Sequence, residues 1–90
     1  MLLVSTNSIT GREYDVLGLV TGVGVPPFKL RFSTEQIGKV IEEGVERANN
    51  SMIAKAQAMG ADAIVRVRYD KEASETGVQI MVWGTAVRLR

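Results

Sequence analysis

Hydrophobic positions along this chain change period several times, and those changes outline its elements. Leu2-Leu3-Val4-Ser5-Thr6 is a short β-prone run, followed by a polar turn from Asn7 to Arg12 with Gly11 near its end. From Tyr14 to Val20 a period of two predicts a second strand. Tyr14, Val16, Gly18 and Val20 share one face, and Asp15, Leu17, Leu19 and Thr21 share the other. Both faces are largely apolar. Gly22, Gly24, Pro26 and Pro27 then break regular structure, predicting a loop through Phe28, Leu30 and Phe32.

The period next lengthens to that of a helix. Ser33 and Gln36 have capping-box spacing, and apolar residues follow at Ile37, Ile41, Val45, Ala48, Met52, Ala56 and Met59 in steps of three and four. Gly38, Gly44 and the Asn49-Asn50 pair weaken this helix, with a kink expected near Asn49. Gly60 supplies its stop. A third strand is predicted from Ala61 to Asp70, with Ala63, Val65, Val67 and Tyr69 opposing Ile64, Arg66 and Arg68. After a polar turn from Lys71 to Gly77, a fourth runs from Val78 to Leu89, apolar on both faces through its middle.

The order is ββαββ, an α+β domain with one long helix packed on an antiparallel sheet. A single helix covers only one face of four strands. The other face must therefore be an interface or an aggregation hazard, and a homo-oligomer is the expectation. Leu17, Leu19, Ile64, Met81, Trp83 and Val87 are the candidate interface residues. Which sheet face the helix covers is not readable from the pattern.

Composition narrows the chemistry. Residues 1–90 make one domain, and a chain this short buries only about 60% of its unfolded surface, so it gains from oligomerisation. Aromatics are 6% of residues, leaving the core to small aliphatics. The net charge of +1 argues against a general role on nucleic acid or anionic membrane. With neither cysteine nor histidine there is no disulfide framework, thiolate, imidazole base or soft metal ligand. Met1 to Thr6 has no signal-peptide pattern and no apolar stretch reaches the length of a membrane span, so a cytoplasmic protein is expected.

Four segments in this order resemble one family: Val4-Ser5-Thr6, Tyr14 through Gly22, Met59-Gly60-Ala61-Asp62-Ala63-Ile64, and Gly84-Thr85-Ala86-Val87. They are similar to the YbjQ-like family, small bacterial and archaeal proteins of unassigned function often described as heavy-metal-binding. The resemblance implies a dodecin-like subunit and a ring-shaped homopentamer in which sheet faces and helices of neighbours meet. The segment from Val23 to Phe32 departs from it, because many members carry a longer stretch there with a Gly-Gly-Arg-Ser-like motif. The heavy-metal description also sits badly with a chain that lacks soft ligands.

Candidate functional groups each have a plainer reading. Glu42, Glu43 and Glu46 on the helix, with Glu72 and Glu75 in a turn, offer oxygen ligands for a hard cation, but a solvated charged face explains them as well. Asp62 follows the helix stop and could contact a ligand or ion, or accept amides at the junction. Arg66 and Arg68 could grip an anion together with Arg88 and Arg90, or pair with glutamates of a neighbouring subunit. Trp83 could stack on a flat ligand or anchor the interface itself. Ser5 and Thr6 lack a base, and Gly22-Val23-Gly24 lacks the features of a phosphate loop, so no enzyme activity and no particular cofactor is indicated. What remains is a non-catalytic binding protein holding a small ligand or ion between subunits, or a scaffold ring that presents only a surface.

Overall fold

The computed structural model describes residues 1–25, 34–74 and 77–90. Strands β1 (Leu2–Leu3) and β2 (Tyr14–Gly24) precede helix α1 (Thr34–Ala58), and strands β3 (Ala63–Ser74) and β4 (Gly77–Leu89) follow it. The expected ββαββ order is present, as an α+β domain with one helix on a four-stranded sheet. The expected capping box at Ser33, the loop prolines and phenylalanines, and Glu75 lie outside the described residues.

Strand order is β1-β3-β4-β2. Both long pairings, β3 with β4 and β2 with β4, are antiparallel, but β1 runs parallel to β3, with Leu2 opposite Ala63. The sheet is therefore mixed rather than wholly antiparallel. Strands β3 and β4 also extend into the expected polar turn, to Ser74 and from Gly77.

The helix runs unbroken as one element through Asn49 and Asn50. Its end follows from Gly60, whose φ of 80° places it in the left-handed region open to glycine. The Ala61 amide donates to the Ala56 carbonyl and the Gly60 amide to the Gln57 carbonyl, both at 3.0 Å. This paired arrangement satisfies carbonyls that the helix end would leave bare. Asp62 then fastens the start of β3: its amide donates to the Val87 carbonyl at 2.9 Å and its carboxylate accepts from the Leu89 amide at 3.0 Å.

The buried helix face is not quite the predicted stripe. Val40, Gly44, Ala48, Met52 and Ala56 are fully buried, while Ile41, Val45 and Ile53 are only partly covered and Met59 is exposed. Small residues explain the rotation. A β-carbon on Gly22 would land on the Ala48 carbonyl oxygen, and one on Gly24 would land on the Gly44 carbonyl oxygen. The helix lies backbone-to-backbone along β2, packed over Val20, Ile80, Val82 and Ala86. Met52 and Val82, at 0% and 1% exposure, each contribute roughly 2 kcal/mol of apolar burial to this layer.

Two bulges reset the faces. The β2–β4 register shifts between Val16 and Gly18, and the β3–β4 register shifts between Val65 and Arg68. Because side chains alternate with period two, one extra residue moves everything beyond it to the opposite face. Ile64 and Val67 thus share the helix side despite their odd spacing, correcting the uninterrupted alternation expected for β3.

Candidate functional site

The face away from the helix is closed at one end only. There Val4, Ile9 and Tyr14 pack on Ala63, Val65 and Val87. The N-terminal segment reaches this position by hydrogen bonding along β3: Val4 donates to the Ile64 carbonyl, and the Arg66 and Val67 amides donate to Thr6 and Val4, all at 3.0 Å. Beyond this patch the described residues leave the face open. Leu19 is 81% exposed, Val16 65% and Trp83 42%, with Val23 exposed beside a half-buried Met81.

The six interface candidates therefore divide. Leu19, Met81 and Trp83 stand on the open face, where Thr21 pairs Trp83 and Val23 pairs Met81. Leu17 is half-buried against the helix-side core, Ile64 is wholly buried within that core, and Val87 is covered by the N-terminal segment. The bulges place Leu17 and Ile64 on the helix side.

On the open face, at the β3 bulge, lies a cavity of about 340 Å³ lined by Asn7, Leu19, Arg66, Arg68, Trp83, Gly84 and Thr85. A second of about 400 Å³, lined by Tyr14, Val16, Gly18, Leu19, Val65, Arg66 and Thr85, shares three of those residues. Gly84 lends backbone to this lining, while a β-carbon on it would point the other way, into the helix-side core against Ile64 and Val67. Arg66 has φ 54°, the one non-glycine residue at positive φ among those described. That conformation costs a side-chain-bearing residue about 1–2 kcal/mol, and bulges are a common means of re-aiming a side chain.

Both guanidinium groups are held. Arg66 Nε donates to Asn7 Oδ1 at 2.6 Å. Arg68 Nη1 donates to the Ser5 carbonyl at 2.6 Å and to the Val67 carbonyl at 3.0 Å. Tyr14 OH in turn donates to the Asn7 carbonyl, tying the segment that presents Asn7. Arg68 stands directly opposite Trp83 in the ladder.

The other arginines do not join them. Arg88 Nε donates to the Gly60 carbonyl at 3.3 Å, and Arg90 Nε donates to Asp15 Oδ1 at 2.9 Å. Arg90 also pairs with Glu13 at 3.6 Å. The hydrogen bond from Arg90, helped by its charge, holds the Asp15 carboxyl below the usual range and raises Arg90 above its own. Asp62 is absent from the lining of either cavity, its carboxylate being engaged at the β3 junction. In sequence Gly84 and Thr85 stand only within a family segment and Asn7 only in a polar turn; the bulge and the crossing N-terminal segment bring them to Arg66.

Glu42 and Glu46 flank a separate groove of about 520 Å³ beside the helix, with Leu3, Ile41, Val45 and Ile53 along it. Among the described residues no three carboxylates gather to hold a metal ion. No helix there is long and apolar enough to cross a membrane.

A single-helix α+β fold with one sheet face left open is the class of protein these features define. The family model described as "Putative heavy-metal-binding", that of the YbjQ-like proteins, matches residues 30–90. A UPF0145 protein from Photobacterium profundum is 42% identical over 103 residues, covering 99% of this chain and 100% of that protein. Another from Halorubrum lacusprofundi is 32% identical over 111 residues, covering all of both chains. The chain belongs to this YbjQ-like, UPF0145 family. Those alignments run longer than the 90 residues here, so both relatives hold residues that this chain lacks. A protein of unknown function of the DUF74 family from Pediococcus pentosaceus has the same fold, with a TM-score of 0.79 over 100% of this chain and 98% of its own, at 18% identity.

Proposed function

We propose that this protein is a cytoplasmic, non-catalytic homo-oligomer, pentameric as the family resemblance implies, that holds a small ligand on the open sheet face between subunits. The observation that carries this reading is the open face itself. Leu19, Val16 and Trp83 are exposed beside a cavity with two fixed arginines, a costly arrangement for a subunit that stays alone. The shape supports it too: the radius of gyration is 14.8 Å, against about 12 Å for a compact domain of this length. A non-catalytic role is supported by the absence of histidine and cysteine from the chain. The near-neutral charge favours neither a nucleic-acid nor a membrane partner.

The residues do not fit a heavy-metal centre. Soft metals select thiolate, thioether and imidazole donors, and this chain offers four methionines but no cysteine or histidine. The apolar groove along Ile41, Val45 and Ile53 favours a second reading, a scaffold ring that presents this groove to a protein partner.

Native mass spectrometry of the protein as purified tests both. A pentamer carrying extra mass is expected. A bare pentamer would move the weight to the scaffold, and a stable monomer would overturn both readings.

A further inference from the structure

We infer that the pocket at the β3 bulge selects an organic oxoanion with a flat apolar body, an aromatic carboxylate or phosphate, in preference to any metal cation. This rests on the reading that the open face is the ligand side, and it names the ligand's chemistry.

Charge supplies the first argument. Among the described residues neither cavity has a carboxylate in its lining, while Arg66 lines both and Arg68 lines one. A divalent cation placed there would meet two guanidinium groups and no counter-charge. An oxoanion meets two cations whose planar forks suit carboxylate and phosphate.

Preorganisation supplies the second. Arg66 uses Nε on Asn7, and Arg68 uses Nη1 on backbone carbonyls, so each group is fixed through one nitrogen. Its remaining N–H donors have no protein acceptor among the described residues. The positive φ of Arg66 is strain that asparagine or glycine would relieve at this position. Retaining arginine there keeps a guanidinium at the pocket at the expense of the fold, a pattern typical of functional sites.

Size and surface supply the third. About 340 Å³ is at the small end of ligand pockets. Trp83 and Leu19 give the wall an apolar surface, and Thr85 adds a hydroxyl. The ligand is then held by its charge at the arginines and by its ring against Trp83.

The test uses the intact protein and reads the emission of Trp83, the sole tryptophan. 2-Naphthoate is expected to change it saturably, and its uncharged analogue 2-naphthamide to bind about tenfold more weakly or worse, reflecting lost charge-assisted hydrogen bonds. Zinc chloride is expected to give no saturable change. Arg66→Asn should weaken naphthoate binding about tenfold while leaving the melting temperature equal or higher, because asparagine accepts the left-handed backbone. Arg68→Gln should weaken binding similarly, and native mass spectrometry should show both variants still assembled.

Equal binding of the charged and neutral rings, saturation by zinc, or naphthoate affinity unchanged in both variants would each overturn the inference. An oligomer that carries a neutral or cationic passenger and ignores naphthoate would overturn it while sparing the ligand-binding reading. A bare oligomer silent to all three probes would overturn both.

Discussion

The two faces of this sheet draw on the same small aliphatic residues, yet one is finished within the chain and the other is not. On the helix side, glycines at 22 and 24 let α1 settle against the backbone of β2, and Val20, Met52, Ile80 and Val82 close the layer. On the far side a wrapped N-terminal segment seals only the end near Val65 and Val87, leaving Leu19 and Trp83 in the open. The finished face carries no buried polar side chain among the described residues, whereas the unfinished one collects two arginines, an asparagine and a threonine around a cavity. The comparison teaches that close approach, more than hydrophobicity, decides which face a lone helix takes. Only the face with glycines admits its backbone.

The largest expected effect comes from spoiling that approach. Gly22→Ala puts a methyl group onto helix backbone, which cannot swing aside as a side chain can. It should cost about 3 kcal/mol, or prevent folding, when urea unfolding is followed by far-UV circular dichroism. Leu19→Asp attacks the other face. It should leave unfolding of the single chain within about 0.5 kcal/mol, yet weaken the proposed assembly by about 2 kcal/mol or more in light scattering, as loss of an interface anchor would. An assembly indifferent to this change would place the contact surface elsewhere.

Smaller effects sharpen the contrast. Gly38 belongs to the same helix as Gly44, but a β-carbon there meets nothing. Gly38→Ala should therefore stabilise by up to about 1 kcal/mol in thermal melts, showing that a helix glycine matters here only where β2 lies against it. Asp15 lies near the end of β2, exposed, and its folded carboxyl titrates below the usual range because Arg90 donates to it. Its stabilising share is complete above the unfolded value near about 4 and is lost as pH falls through the lower folded value. Asp15→Asn should lower the melting temperature slightly near neutrality, where that share is complete, and flatten the shallow decline below about pH 4, where wild type and variant converge.

Periodicity made the element order legible, and Gly60 marked the helix stop. Two kinds of feature were not. The apolar stripe locates the buried positions Ala48, Met52 and Ala56, but it also includes Ile41, Val45 and Met59, where the structure buries Val40 and Gly44 instead. A hydrophobic stripe shows where apolar bulk sits, not where two backbones can touch, and Gly44 reads in sequence only as a weak point in a helix. The bulges were equally hidden. Alternation from Ala63 to Tyr69 looks regular, so nothing announced that Arg66 would take a left-handed conformation and bring Val67 to the helix side. The pocket inherits that opacity, because Asn7 and Arg66 meet only through the bulge and the strand-like path of residues 4–7.

The strand order has a further consequence for handling the protein. With β2 outermost, its eleven residues end the sheet with a long row of amides and carbonyls that no other strand among the described residues meets. Such a rim is a template for backbone pairing, indifferent to side-chain identity. Should the proposed assembly be broken at Leu19, the resulting monomer would still carry this rim, so concentrated stocks of it are expected to convert slowly to fibrous aggregates.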